Sequence, residues 1–290
     1  MSTFIIAAIV IALAIGGYAL YRKRVWRDIK LKLPAEKRTD LLVGPYGSYA
    51  GQIDRIAAFT NLHWYFNFHP LPLLIEELKR HLDHKLVFDM GARIFTPAEG
   101  GSVLSVNAEQ SMRLAFDSMR AEGVLHRITY LVVHDEPQLS IRDEAELQKA
   151  VTLLKAVAAT YSELAGVKYA CIYLNKEPFW CLKEFDVVGV DCYKQKSESL
   201  TRGEHARLRK AIDKTWQKTM IIPGASYGHN PDPWLAYAQI NKDEVAMLVP
   251  FLWTTPPAEF VTDGLTGIED QDVDYRNGWI GAMHYGSNKS

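Results

Sequence analysis

The chain has 290 residues, 48% of them hydrophobic, and a formal net charge of −1 at neutral pH. That length provides for one large domain of about 250 residues plus an appendage, and the near-zero charge excludes a nucleic-acid binder working by phosphate neutralisation. Its three cysteines, Cys171, Cys181 and Cys192, fall in no Cys-x-x-Cys spacing and imply neither a disulfide framework nor a zinc site.

At the N-terminus, residues 4–20 form an uncharged apolar run of 17 residues. As a helix rising about 1.5 Å per residue, it just spans a hydrocarbon core. Arg22, Lys23, Arg24, Arg27, Lys30 and Lys32 follow directly. Met1-Ser2-Thr3 lacks the positive charge that opens a cleaved signal peptide. A buried core helix fits less well, because the run is apolar on all faces and precedes the first strand. The expected organisation is therefore a transmembrane anchor at 1–21, a basic linker at 22–39 and a catalytic domain at 40–290. The positive-inside rule makes this a single-pass membrane protein with its large domain on the cytoplasmic side. An enzyme acting on exported polysaccharide sits awkwardly there, and the Ala/Gly-rich span leaves a weakly held, releasable anchor open.

Beyond the linker, apolar strands alternate with amphipathic helices. Strands are expected at residues 41–46, 62–67, 85–89, 128–136, 169–175, 185–193, 220–223 and 245–253. Helices are expected at 51–59, 73–81, 108–121, 143–164, 202–216, 233–240 and about 275–283. The strands are short, apolar and β-branched, as strands buried on both faces should be. Eight of them, nearly all separated by helices, predict a (β/α)8 TIM barrel. A doubly wound open sheet is the runner-up, and it loses because no Gly-x-Gly-x-x-Gly follows strand one.

Strand four carries the most information. Leu131-Val132-Val133-His134-Asp135-Glu136-Pro137 is an apolar strand that runs into two adjacent carboxylates and is stopped by proline. In a parallel barrel the C-terminal strand ends are where chemistry sits. Alternation along the strand then places Glu136, His134, Val132 and Tyr130 toward the barrel mouth and Asp135 toward the helix layer or a neighbouring loop. The same logic turns Asp191 inward with Gly189 and Val187, with Tyr193 just above. Strand three presents Asp89, strand two Asn67, strand five Asn175 and strand eight Trp253. Tyrosine and tryptophan beside such carboxylates suit the apolar faces of sugars.

Each candidate has a plainer role to set against this. Asp89 could cap the loop after its strand, and Asn175-Lys176-Glu177-Pro178 could be a solvated turn. His134 could serve only to orient the Glu136 carboxylate, and Glu136 could be a structural ion-pair partner. His63, His69 and His229 are scattered and no His-x-His occurs, so neither a metal nor another cofactor is expected. No Gly-x-Ser-x-Gly elbow supports acyl transfer.

Asp135-Glu136-Pro137 resembles the Asn-Glu-Pro of clan A glycoside hydrolases, in which the glutamate is the general acid/base. Residues 185–193, Phe-Asp-Val-Val-Gly-Val-Asp-Cys-Tyr, are similar to strand six of many sugar-cleaving barrels. Trp253 resembles the tryptophan that floors their central subsite. As a pattern the likeness covers most of residues 40–285, on short motifs. It departs at strand seven, where those enzymes carry a nucleophilic glutamate and this chain reads Met220-Ile221-Ile222-Pro223-Gly224-Ala225-Ser226. The adjacent Asp-Glu pair also resembles substrate-assisted hexosaminidases, in which the aspartate orients the sugar's acetamido group.

The resemblance implies an enzyme that cleaves a glycosidic bond in a polysaccharide or glycan. Glu136 would be the acid/base and Asp191, or else Asp89, the second carboxyl that such hydrolysis usually needs. Asp89, Asn67, His134, Asp135, Asn175, Tyr193 and Trp253 would line the sugar site. The rivals are a non-catalytic barrel that binds glycan or a protein partner at the membrane, and a hydrolase or lyase for another small substrate.

Overall fold

A computed structural model describes residues 38–46, 52–66, 70–174, 178–191, 198–225, 228–251, 253, 255 and 267–288. The expected membrane helix, the linker as far as residue 37 and the candidate residues Asn67, Asn175 and Tyr193 lie outside the described residues. Among the described residues, no helix is long and apolar enough to cross a membrane.

Eight strands make one sheet: β1 (Leu42–Val43), β2 (Leu62–Tyr65), β3 (Lys85–Asp89), β4 (Ile128–Asp135), β5 (Lys168–Leu174), β6 (Val187–Asp191), β7 (Lys218–Ile221) and β8 (Val245–Leu248). Every pairing within it is parallel, in the order β1-β8-β7-β6-β5-β4-β3-β2. Sequential order with β1 beside β8 requires the sheet to curl round on itself, which gives a nearly closed barrel. Helices α1 (Ile53–Ile56), α2 (Leu71–Arg80), α3 (Gly91–Ile94), α4 (Ala108–Ala121), α5 (Pro137–Ser140), α6 (Glu144–Ala158), α7 (Glu198–Ala211), α8 (Pro231–Ile240) and α9 (Val273–Ser287) lie along the connections between the strands and after β8. Between α3 and α4 a small antiparallel hairpin pairs Phe95–Thr96 with Val103–Leu104.

Alternation divides the strand residues between two environments. Leu62, Val87, Val132, Ile172, Val187 and Met220 share one buried cluster inside the barrel. Leu86, Phe88, Leu131, Val133, Cys171 and Val188, their sequence neighbours, pack outward against the helices. The helices answer with apolar stripes at helical spacing. In α4 the buried residues are Ala108, Met112, Ala115, Phe116 and Met119. Asp143 caps α6 by accepting from the Glu146 amide at 2.9 Å.

Several expected boundaries move. The helix expected at 143–164 ends at Ala158, and a separate turn of helix covers Ser162–Leu164. The last strand ends at Leu248 instead of reaching Trp253, while isolated parallel bonds continue as far as Phe251. The short helices α3 and α5 and the hairpin are additions to the expected pattern.

The seam between β1 and β2 is sealed without a ladder among the described residues. The Asn61 side chain accepts from the Val43 amide at 2.7 Å and donates to the carbonyls of Leu41 at 3.0 Å and Ser287 at 3.1 Å. Gly44 lies so close that an added Cβ would overlap the Leu62 carbonyl oxygen. Gly44→Ala should therefore force the seam apart and destabilise the fold by at least about 2–3 kcal/mol. Gly203→Ala, where nothing lies within 4 Å of an added Cβ, should be neutral or stabilise by about 0.5–1 kcal/mol, the helix preference for alanine. Urea midpoints of both variants check this, and equal midpoints would contradict the sealed seam.

Candidate active site

The end of β4 departs from simple alternation. Val132 lies opposite Ala170 of β5, but Asp135 lies opposite Ile172. Two residues, Val133 and His134, thus face the single Cys171, which is a β-bulge. One extra residue inverts the order of faces beyond it. Asp135 joins Val132 and Ile172 on the inner face, where its Oδ2 accepts a hydrogen bond from the hydroxyl of Tyr46. His134 is turned into the helix layer, edge-on to Phe95 with ring centroids 5.2 Å apart. Its Nδ1 bonds the Asp135 carbonyl and its Nε2 lies 3.3 Å from Ser140 Oγ. The expected placement of His134 in the mouth and Asp135 outside is therefore reversed.

Glu136 follows in a left-handed conformation, φ 51° and ψ 59°, immediately before the first residue of α5. Pro137 disfavours the right-handed helical region for the residue before it. A non-glycine residue held at such a φ stores roughly 1–3 kcal/mol of strain, a condition that clusters at functional sites. Its amide donates to the Ile172 carbonyl at 2.9 Å, and the side chain is half-buried. Glu136 makes no ion pair among the described residues, so the structural ion-pair role has no partner there.

Two more carboxyls occupy inner positions at strand ends. Asp89 alternates with inward-facing Val87, is 6% exposed, and accepts from the Gly91 amide at 2.7 Å. It therefore also performs the loop-capping role. Gly91 leaves room for this packing, as a Cβ there would lie 3.2 Å from Asp89 Oδ1 and 3.4 Å from His134 Cδ2. On β6, Val187 lines the interior and a Cβ on Gly189 would run into inward-facing Met220. Asp191 continues that face and is half-buried.

Burial governs the proton affinities. It raises the Asp135 carboxyl to about 8, and the charges of Glu136 and Asp89 push the same way against the opposing Tyr46 hydrogen bond. Asp135 as a residue is half-buried, yet its Oδ1 is shut off from solvent and has no hydrogen-bond partner among the described residues. Asp89 rises to about 7, again through burial and against the Gly91 hydrogen bond. Burial lowers His134, opposed by its bond to the Asp135 carbonyl.

Tyr46 is the residue that sequence reasoning passed over. It stands 89 residues from Asp135 and was legible only as the end of strand one. A bridge to Phe251 fixes its backbone. Its ring meets Trp64 at 4.8 Å, Phe66 at 5.2 Å and Phe251 at 5.7 Å. Trp253, expected at the sugar site, instead packs behind the strands on Phe59 at 5.2 Å, among the residues between β1, β8 and α9. It is 4% exposed and presents no open ring face. The end of β7, Ile222 to Ala225, is buried and carries no carboxylate. Among the described residues no three His, Cys, Asp or Glu side chains are grouped to hold a metal ion.

No protein-family model matches the sequence, and no curated protein matches it. Among solved structures the fold is similar to that of Saccharomyces cerevisiae Gas2p in complex with laminaripentaose, with a TM-score of 0.56, 9% identity, and coverage of 84% of this chain and 64% of that one. A Gas2p variant with one glutamate changed to glutamine, in complex with laminaritetraose and laminaripentaose, gives 0.54 and 8%, over 84% and 63% of the two chains. ScGas2 in complex with a small compound gives 0.57 and 8%, over 85% and 63%. The chain thus spans less than two thirds of the length of these structures, and at such identity the likeness is one of fold.

The raised carboxyls predict a pH dependence of stability. Between the unfolded value near 3.9 and folded values of about 7 and 8 for Asp89 and Asp135, the folded state binds more protons than the unfolded chain. Their contribution is present in full below about pH 4 and is lost as pH rises through 7 to 8. Asp135→Asn and Asp89→Asn remove the titration, so each variant should gain on wild type in urea midpoint between pH 5 and 8. Parallel wild-type and variant curves across that range would contradict the buried, proton-holding state.

Proposed function

We propose that this chain is a glycoside hydrolase-like enzyme that cleaves a glycosidic bond in a polysaccharide or glycan, with Glu136 as its general acid/base. The observation that carries this reading is the gathering of Asp89, Asp135, Glu136 and Asp191 at the C-terminal ends of β3, β4 and β6 in a parallel barrel. Departure of a sugar's leaving oxygen needs a proton, and a carboxyl supplies it when its surroundings keep it protonated near the working pH. Glu136 is half-buried and so open to a ligand, whereas Asp89 is enclosed and engaged with Gly91. Asp191, half-buried on the inner face of β6, is accordingly the preferred second carboxyl. Phe66 and Phe251, half-buried beside Tyr46, offer ring surface for a sugar face. Laminari-oligosaccharides, which the similar Gas2p structures hold, are the first substrates to offer.

The end of β7 favours a second reading. Where the resembled retaining enzymes carry a nucleophile, the described residues Ile222 to Ala225 carry none, which suits a barrel that binds glycan or a protein partner without cleaving it.

Glu136→Gln decides between them. The near-isosteric amide should leave the fold intact while cleavage of laminaripentaose or a wider glycan panel falls by roughly 10²–10⁴-fold, the worth of general acid–base catalysis. Asp191→Asn should cost a comparable factor if it supplies the second carboxyl. Undiminished cleavage by the Glu136→Gln protein rules out the proposed role. Wild-type binding without cleavage establishes the non-catalytic barrel.

A further inference from the structure

We infer that the base of the barrel, the end opposite the candidate site, rests on a lipid bilayer through Trp216, Ile240 and the lysines around them, so that the site opens away from the membrane. The inference builds on the anchor expected at residues 4–20 and stands apart from the glycan reading.

The chain enters the described structure at this base. Arg38 precedes β1, and three bonds pin it there. Its amide donates to Gln239 Oε1 at 3.0 Å, its guanidinium to the Ala238 carbonyl at 3.0 Å, and its own carbonyl accepts from Asn288 at 2.8 Å. Ile240, next after Gln239, closes α8 and is 45% exposed. Lys242 follows, and its carbonyl accepts from Lys218 Nζ at 3.3 Å. Trp216 stands two residues before Lys218, in the turn between α7 and β7, and is 46% exposed. These contacts link the chain entry to the indole in one patch, two large apolar side chains beside Lys214, Lys218 and Lys242. Of the acids nearby, Asp40 is engaged by Arg38, Asp213 by Thr215 and Glu244 by Arg209, and Asp243 is exposed.

Tryptophan with lysine suits a bilayer interface. The indole is an apolar body with one polar edge, and a lysine stem lies along apolar surface while its ammonium meets headgroup phosphate. What favours lipid over a protein partner is the place of the patch. It adjoins the point where the chain arrives from the apolar run and its six basic residues. Val106 and Leu139, exposed apolar residues at the mouth end, have no such neighbour. Fully extended, residues 21–37 reach about 55 Å. The tether alone would leave the barrel free to turn, and the patch is what sets its orientation.

Tryptophan quenching tests this in full-length protein reconstituted into phosphatidylcholine vesicles whose acyl chains carry bromine close to the headgroup. Trp216→Phe keeps an aromatic ring at an exposed position and should lose part of the wild-type quenching. Ile240→Trp should add emission that bromine quenches. Leu139→Trp, on α5 just after Glu136 at the other end of the barrel, should add emission that bromine leaves alone. The two base variants report separately, so one that fails to fold leaves the other to decide. In protein that floats with the vesicles, unaltered quenching in Trp216→Phe, or unquenched emission from Ile240→Trp, overturns the inference and points to a protein partner. Emission from Leu139→Trp quenched as strongly as that from Ile240→Trp overturns the orientation. Full-length protein that stays soluble without detergent overturns the anchor, and the inference falls with it. None of these outcomes bears on the glycan reading.

Discussion

The arrangement of this site depends on one extra residue in β4. Between Val132 and Asp135 the strand advances three residues while β5 advances two. That slip decides which side chains reach the interior. Without it, His134 would occupy the inner face and Asp135 would press into the helix layer against Phe95. With it, Asp135 meets Tyr46 across the barrel, His134 becomes a packed support bonded to the Asp135 carbonyl, and Glu136 leaves the strand in a left-handed turn ahead of Pro137. Bulges re-aim side chains beside functional sites elsewhere. Here the effect is to bring Asp135 to the inner face, which strict alternation would have turned outward.

Electrostatics then follow from enclosure. Asp89 and Asp135 end neighbouring strands, and each is pushed toward its protonated form chiefly by loss of solvent. Like charges brought together in a poorly solvated space resist ionising together. Both carboxyls therefore hold their protons close to neutrality. Stability and proposed function pull apart at this point. The left-handed Glu136, the buried Oδ1 of Asp135 and the raised carboxyls all weaken the fold. The interlocked inner and outer layers and the Asn61 seam offset them.

The architecture was legible in the sequence because buried parallel strands leave a local signature. Lys85–Asp89 and Ala108–Ala121 fall where the apolar pattern puts them, and Asp191 stays on the face that Val187 and Gly189 predict. What failed was whatever depends on partners distant in sequence. A bulge is a relation between two strands, so the faces of His134 and Asp135 could not be read from β4 alone. Trp253 ends an apolar stretch that reads as strand eight, but the strand ends at Leu248 and the ring turns to Phe59. Tyr46 had no local signal, since its meaning comes from a contact with Asp135 made only when the barrel closes.

The most direct test is a crystal structure of the Glu136→Gln protein soaked with laminaripentaose or with whichever glycan the wild type cleaves. The account predicts a sugar at the C-terminal ends of the strands. Its glycosidic oxygen should lie within about 3 Å of the residue 136 side chain, hydrogen-bonding distance for an acid and its target. Asp135 should point inward with Tyr46 on one oxygen. A sugar bound elsewhere, or an Asp135 turned outward in an unbulged β4, would contradict it.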